Sequence, residues 1–181
     1  MSGSGAPNLK VLAVGKNVVI VATSWHPEIV NGLIAGAQKE LEQSGAVNVE
    51  LIMVPGAFEL PLAAKWAFDQ GADLVIALGV VIQGGTPHFD YICSSATEGL
   101  TRVQLDCNKP IGFGLLTVNN EQEALDRAGL EGSKENKGRV INRWRFNKPE
   151  TRKLACHVHV HKVTLLRNVG VIAGKSGKVV V

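Results

Sequence analysis

Leu74-Val75-Ile76-Ala77-Leu78-Gly79-Val80-Val81-Ile82-Gln83-Gly84-Gly85-Thr86-Pro87-His88 is the stretch that decides the fold. It opens as an apolar run with no polar break. It passes through a short Gly/Pro loop and continues, over residues 89–105, with helical period. An unbroken apolar run suits a strand buried on both faces, as in a parallel sheet. A strand that feeds a helix through a short loop is the first half of a βαβ crossover.

The same alternation extends in both directions. Residues 18–23 (VVIVAT), 49–54 (VELIMV) and 111–117 (IGFGLLT) are short apolar runs, read as further strands buried on both faces. Residues 27–44 place Ile29, Val30, Leu33, Ile34, Ala37 and Leu41 on one helical face and stop at Gly45. Residues 59–70 gather Leu60, Ala63, Ala64, Ala67 and Phe68 and stop at Gly71. A fourth helix is expected over residues 121–128, before Gly129. The pattern predicts an α/β fold: a three-layer sandwich around a central four-stranded parallel sheet.

A chain of 181 residues fits one domain and buries a core without staples. No apolar run approaches the ~20 residues of a membrane span. Residues 1–17 read as a flexible N-terminal arm with no secretory signature, so the expected location is cytoplasmic. The three cysteines are widely spaced and form no CxxC pair, which points to free thiols rather than disulfides or zinc. Cys93, near His88, leaves a Cys–His nucleophile as an alternative. The net charge of +3 conceals a division: residues 1–138 carry −6 and residues 139–181 carry +9.

Ligands of parallel sheets bind beyond the carboxyl ends of the strands, so the residues just after each strand hold the candidate chemistry. Gly84, Gly85 and Thr86 precede a helix whose first N–H groups and dipole favour an anion such as phosphate. The loop lacks the GxxxxGK[ST] pattern of NTPases and reads equally as a plain βα turn. His88 stands at its mouth, with an imidazole able to move protons near neutral pH. After the second strand, Gly56 permits a tight turn, Phe58 offers a stacking face and Glu59 accepts hydrogen bonds from hydroxyls. Trp25, past the first strand, presents a flat face to a planar heterocycle or simply packs. Arg127, Lys134 and Lys137 suit phosphate contact or complement a helix C-terminus.

Together these segments resemble the lumazine synthase family over residues 18–138. The most specific are Pro55-Gly56-Ala57-Phe58-Glu59-Leu60-Pro61 and residues 79–91; Pro110-Ile111-Gly112-Phe113-Gly114, Arg127-Ala128-Gly129 and Asn136-Lys137-Gly138 add to them. The resemblance implies a flavodoxin-like sandwich with strand order 2-1-3-4. It implies condensation of 5-amino-6-(D-ribitylamino)uracil with 3,4-dihydroxy-2-butanone 4-phosphate, without metal or organic cofactor. By similarity, Trp25 stacks on the pyrimidine. Ala57, Phe58 and Glu59 hold the ring and ribityl chain, and Val80, Val81 and Ile82 supply backbone contacts. Gly85, Thr86 and Arg127 hold phosphate, and His88 moves protons. Phe113 and Lys137 contact the ring. Phe113, Arg127 and Lys137 are expected from a neighbouring subunit of a homopentamer.

The resemblance stops where the charge changes. Residues 139–181 contain Pro149, an alternating Cys156-His157-Val158-His159-Val160-His161-Lys162-Val163 stretch and a Gly/Lys-rich end, where the family carries a long Ala/Leu helix. Such abruptness is what a shifted reading frame or a replaced tail produces. The alternating histidines offer a metal patch or belong to a solvated basic tail; no motif supports nucleic-acid binding. A non-catalytic flavin or lumazine binder and a shell-forming assembly protein stand as alternatives to the enzyme.

Overall fold

The computed structural model describes residues 13–139; residues 140–181, which carry the histidine stripe of the basic tail, lie outside them. Four strands, β1 (Asn17–Thr23), β2 (Asn48–Val54), β3 (Leu74–Ile82) and β4 (Ile111–Val118), form one parallel sheet in the order β2-β1-β3-β4. The helices are α1 (Pro27–Gln43), α2 (Leu60–Asp69), α3 (His88–Cys107) and α4 (Glu121–Leu125). The fold is the expected flavodoxin-like α/β sandwich.

Two cores lie on the two faces of the sheet. Val18, Ile20, Leu74, Ile76 and Leu78 pack with Ile29, Leu33 and Leu41 of α1 and Ala124 of α4. Val21, Val75, Ala77 and Leu115 pack with Leu60, Ala64 and Phe68 of α2 and Ala96 and Leu100 of α3. β1 and β3 are central, so their alternate side chains enter both cores and the run reads as continuously apolar. Glycine stops work as expected: Gly45 (φ 76°) and Gly71 (φ 100°) take the left-handed conformation just past α1 and α2.

The structure differs from the sequence reading in two elements. β2 is not buried on both faces: it is an edge strand, and Val49, Leu51 and Met53 are 41–49% exposed. They align with Val18, Ile20 and Ala22 on the α1 side. α1 packs over β1 and β3, and no described element lies over the β2 stripe. The fourth helix ends at Leu125, capped by Asp126, rather than reaching residue 128. Its backbone is diverted because Ala128 bridges to Asn136 and Asp126 accepts the Glu135 N–H. The end of the expected arm is also held. Ala13 is fully buried and donates its N–H to Ser44, and Lys16 pairs with Asp73.

Residues 129–139 lie across α1, where Gly36 leaves room for the Asn136 amide and Gly138 rests on the Leu33 backbone. Arg139 pairs with Glu40, which is only 5% exposed. A Cβ on Gly138 would overlap the Leu33 carbonyl, a backbone atom that cannot swing aside. Gly138→Ala is therefore expected to cost ~1–3 kcal/mol by overpacking, seen as a lower midpoint in thermal unfolding.

Candidate active site

The carboxyl ends of β1, β2 and β3 are drawn together by short-range bonds. Ser24 donates its N–H and its hydroxyl to the Val54 carbonyl, each at 2.9 Å, tying the exit of β1 to that of β2. Pro55 and Gly56 turn the chain into a single 3-10 turn, Ala57–Glu59. Glu59 Oε2 accepts the Gly56 N–H at 2.9 Å, closing that turn on itself. Gln83 donates to the Val118 carbonyl at 2.9 Å, fixing where the loop of residues 83–87 leaves β3.

A cavity of about 300 Å³ opens between these ends. Trp25 and Phe58 line it and are mostly exposed, at 68% and 61%. Ala57, Val80, Val81 and Ile82 supply its apolar wall, and His88, the first residue of α3, stands on its border. Seven of the residues expected at the site thus share one space. Glu59 does not line it, its carboxylate being engaged by Gly56. Gly85 and Thr86 lie in the exposed loop that leads into α3, also outside the lining. The α3 helix has 20 residues, so its opening turn carries the dipole that attracts an anion to this loop.

Phe113, Arg127 and Lys137 are elsewhere. Phe113 is 41% exposed in the middle of β4. Arg127 and Lys137 belong to the segment that packs on α1, across the sheet from α2 and α3. Glu135 receives both: Lys137 Nζ lies 2.7 Å from Oε2 and Arg127 Nε 3.6 Å from Oε1. A further Arg127 nitrogen donates to the Glu123 carbonyl at 2.7 Å. Two cations are thereby presented together on a half-buried loop.

The family profile described as 6,7-dimethyl-8-ribityllumazine synthase matches residues 15–143. The chain belongs to the 6,7-dimethyl-8-ribityllumazine synthase family. A relative bearing that name from Leifsonia xyli subsp. xyli is 57% identical over 140 residues, covering 76% of this chain and 88% of its own. Like-named relatives from Kineococcus radiotolerans and Streptomyces coelicolor are 56% and 50% identical, each across 76% of this chain and 86% of theirs. The profile match ends close to the charge division at Arg139.

On this lumazine synthase scaffold the cavity also includes residues whose sequence context signals no role there: Thr23, His26 and Ile92, together with Gly56, whose sequence signal is a tight turn. Ile92 follows His88 by one helical turn, a spacing that periodicity alone would have found. His26 adopts a left-handed conformation (φ 53°, ψ 64°) as the cap of α1, ahead of Pro27. That conformation costs of order 1 kcal/mol for a residue with a side chain, and such strain gathers at functional sites.

Cys93 does not support the nucleophile alternative. Burial, and then the Asp90 carboxylate, push its thiol above the usual cysteine range, so it stays protonated at neutral pH. Iodoacetamide at pH 7.5 is expected to label Cys93 more slowly than a free cysteine peptide, as read by peptide mapping.

Proposed function

We propose that this chain condenses 5-amino-6-(D-ribitylamino)uracil with 3,4-dihydroxy-2-butanone 4-phosphate, giving 6,7-dimethyl-8-ribityllumazine and releasing phosphate and water. The observation that carries this reading is the shared cavity: an exposed indole, a phenyl ring and an imidazole around the ends of three strands. In this reading Trp25 and Phe58 flank the pyrimidine and ribityl groups, and the β3 end, Val80 to Ile82, offers backbone partners to the ring. Glu59 holds the turn that carries Phe58. Gly85, Thr86 and the opening of α3 receive the phosphate.

Imine formation between an amine and a ketone needs proton transfer more than a strong nucleophile, and His88 is the titratable group at hand. Holding two substrates together supplies much of the acceleration, since effective molarities reach ~10⁵ M or more. The reaction asks nothing of a metal or organic cofactor.

Arg127, Lys137 and Phe113 enter from a second copy. Arg127 and Lys137 are on the far side of the sheet from their own chain's α2 and α3, and a head-to-tail arrangement of subunits closes into a ring such as a pentamer. The test is to mix both substrates with the purified protein. Lumazine absorbance and phosphate should appear in equal amounts. Binding of the pyrimidinedione without phosphate release would instead establish a non-catalytic binder. Light scattering separates a pentamer from a shell.

A further inference from the structure

Arg127 and Lys137, the cations that the proposed reaction takes from a second copy, sit on a short antiparallel pairing. Glu135 donates its N–H to the Asp126 carbonyl and Lys137 donates to the Arg127 carbonyl, each at 2.9 Å. Between them Ala128 bridges to Asn136. Side chains alternate along such a pairing. Ala128 is fully buried, and the Asn136 amide fills a slot that a Cβ on Gly36 or Gly129 would close. Glu135 and Lys137 flank Asn136, so they share the opposite face with Arg127.

On that face Glu135 spans both cations. Its Oε2 lies 2.7 Å from Lys137 Nζ and its Oε1 3.6 Å from Arg127 Nε. The side chains of Lys137, Glu135 and Arg127 are 21%, 29% and 34% exposed. Among the described residues, no other carboxylate is within ion-pair distance of either cation; Asp126 is engaged by Lys134 at 2.5 Å. Two neighbouring cations repel, and long charged side chains populate many rotamers. One carboxylate against both removes the repulsion and fixes the two heads. Yet a carboxylate beside a phosphate-binding group also repels phosphate, so anion binding alone would favour a neutral residue here. The double contact accounts for the acid.

We propose that Glu135 is a positioning residue. It sets the separation of Arg127 and Lys137, so that one meets the phosphate of the first substrate while the other meets the pyrimidine ring of the second. This assignment rests on the reaction proposed above and deepens it. The segment delivers its cations as a unit of fixed spacing, and the approach of amine to ketone depends on that spacing.

Steady-state lumazine formation is measured on the parent, Glu135→Gln, Lys137→Ala and the double variant, with thermal unfolding of each. Glu135→Gln should lower kcat about tenfold, with a melting temperature within a degree or so of the parent, because the side chain belongs to neither core. In the Lys137→Ala background the same substitution should cost no more than about threefold, since the closer partner is already gone. A tenfold loss in both backgrounds overturns the proposal, because Glu135 then acts without Lys137. A melting temperature lower by several degrees in Glu135→Gln also overturns it, because the carboxylate then serves the fold. So does a lower KM for the phosphate-bearing substrate, which would make Glu135 a competitor for Arg127. An active parent with an unchanged kcat in Glu135→Gln removes this assignment alone. A parent that forms no lumazine removes the proposed reaction, and this assignment with it.

Discussion

His88→Ala is expected to lower kcat by about 10²-fold while leaving the melting temperature within a degree or so of the parent. The imidazole is the first residue of α3, solvent-exposed and on the border of the cavity, so its removal takes away no core contact. In the proposed reaction the amine loses protons as the imine forms, and the phosphate ester is eliminated after proton removal from carbon. One imidazole at the mouth of the site serves those transfers. Residual turnover should remain, because Trp25, Phe58 and the loop leading into α3 still hold the substrates together. Steady-state lumazine absorbance across pH checks this. An unchanged kcat would take His88 out of the chemistry.

The second large effect comes from Arg127→Ala, expected to raise KM for the phosphate-bearing substrate by ~10–10²-fold. Hydrogen bonds to charged groups are worth about 1.5–3 kcal/mol. Two nitrogens of Arg127 face the Glu123 carbonyl and the Glu135 carboxylate in its own chain, which orients the guanidinium; in the proposed reaction its other donors meet the phosphate. The same residue permits a sharper experiment. Arg127 packs on the α1 side, while the cavity of its own chain opens beside the 3-10 turn and α3. If each site joins His88 of one copy to Arg127 of the next, unfolding and refolding an equal mixture of His88→Ala and Arg127→Ala should restore activity. About a quarter of the sites in a randomly mixed ring would regain both groups. Activity no greater than the mean of the two separate variants would mean that the residues act within one chain or not at all.

Much of the fold was legible because it rests on local rules. The β3 run is apolar without a break because central strands are covered twice. The helical faces of α1 and α2 repeat at 3.6 residues, and Gly45 and Gly71 stop them where left-handed backbone is needed. The rule that ligands sit past the carboxyl ends of parallel strands brought Trp25, Phe58 and His88 into consideration together, and the tertiary structure lines a single cavity with all three.

The remainder lay outside local pattern. Val49, Leu51 and Met53 are as apolar as the β1 run they pair with, yet they stand exposed because β2 is an edge and α1 lies over β1 and β3. α4 keeps helical composition to residue 128 but stops at Leu125, since a bridge to Asn136 claims its backbone. Glu135 collects Arg127 and Lys137 through a loop that folds back only because Gly36 and Gly138 let it lie on α1.

By itself the sequence determined the parallel α/β class, the strands and helices, and the loops where chemistry belongs, because burial period and turn chemistry act over a few residues. The tertiary structure alone decided which side of the sheet each loop reaches, and so which site residues share a cavity. It also decided that Thr23, an ordinary strand threonine in the sequence, lines that cavity with its hydroxyl buried and without a hydrogen-bond partner among the described residues. Those outcomes depend on strand order and on what packs over each strand, and neither is written in the period of any one segment.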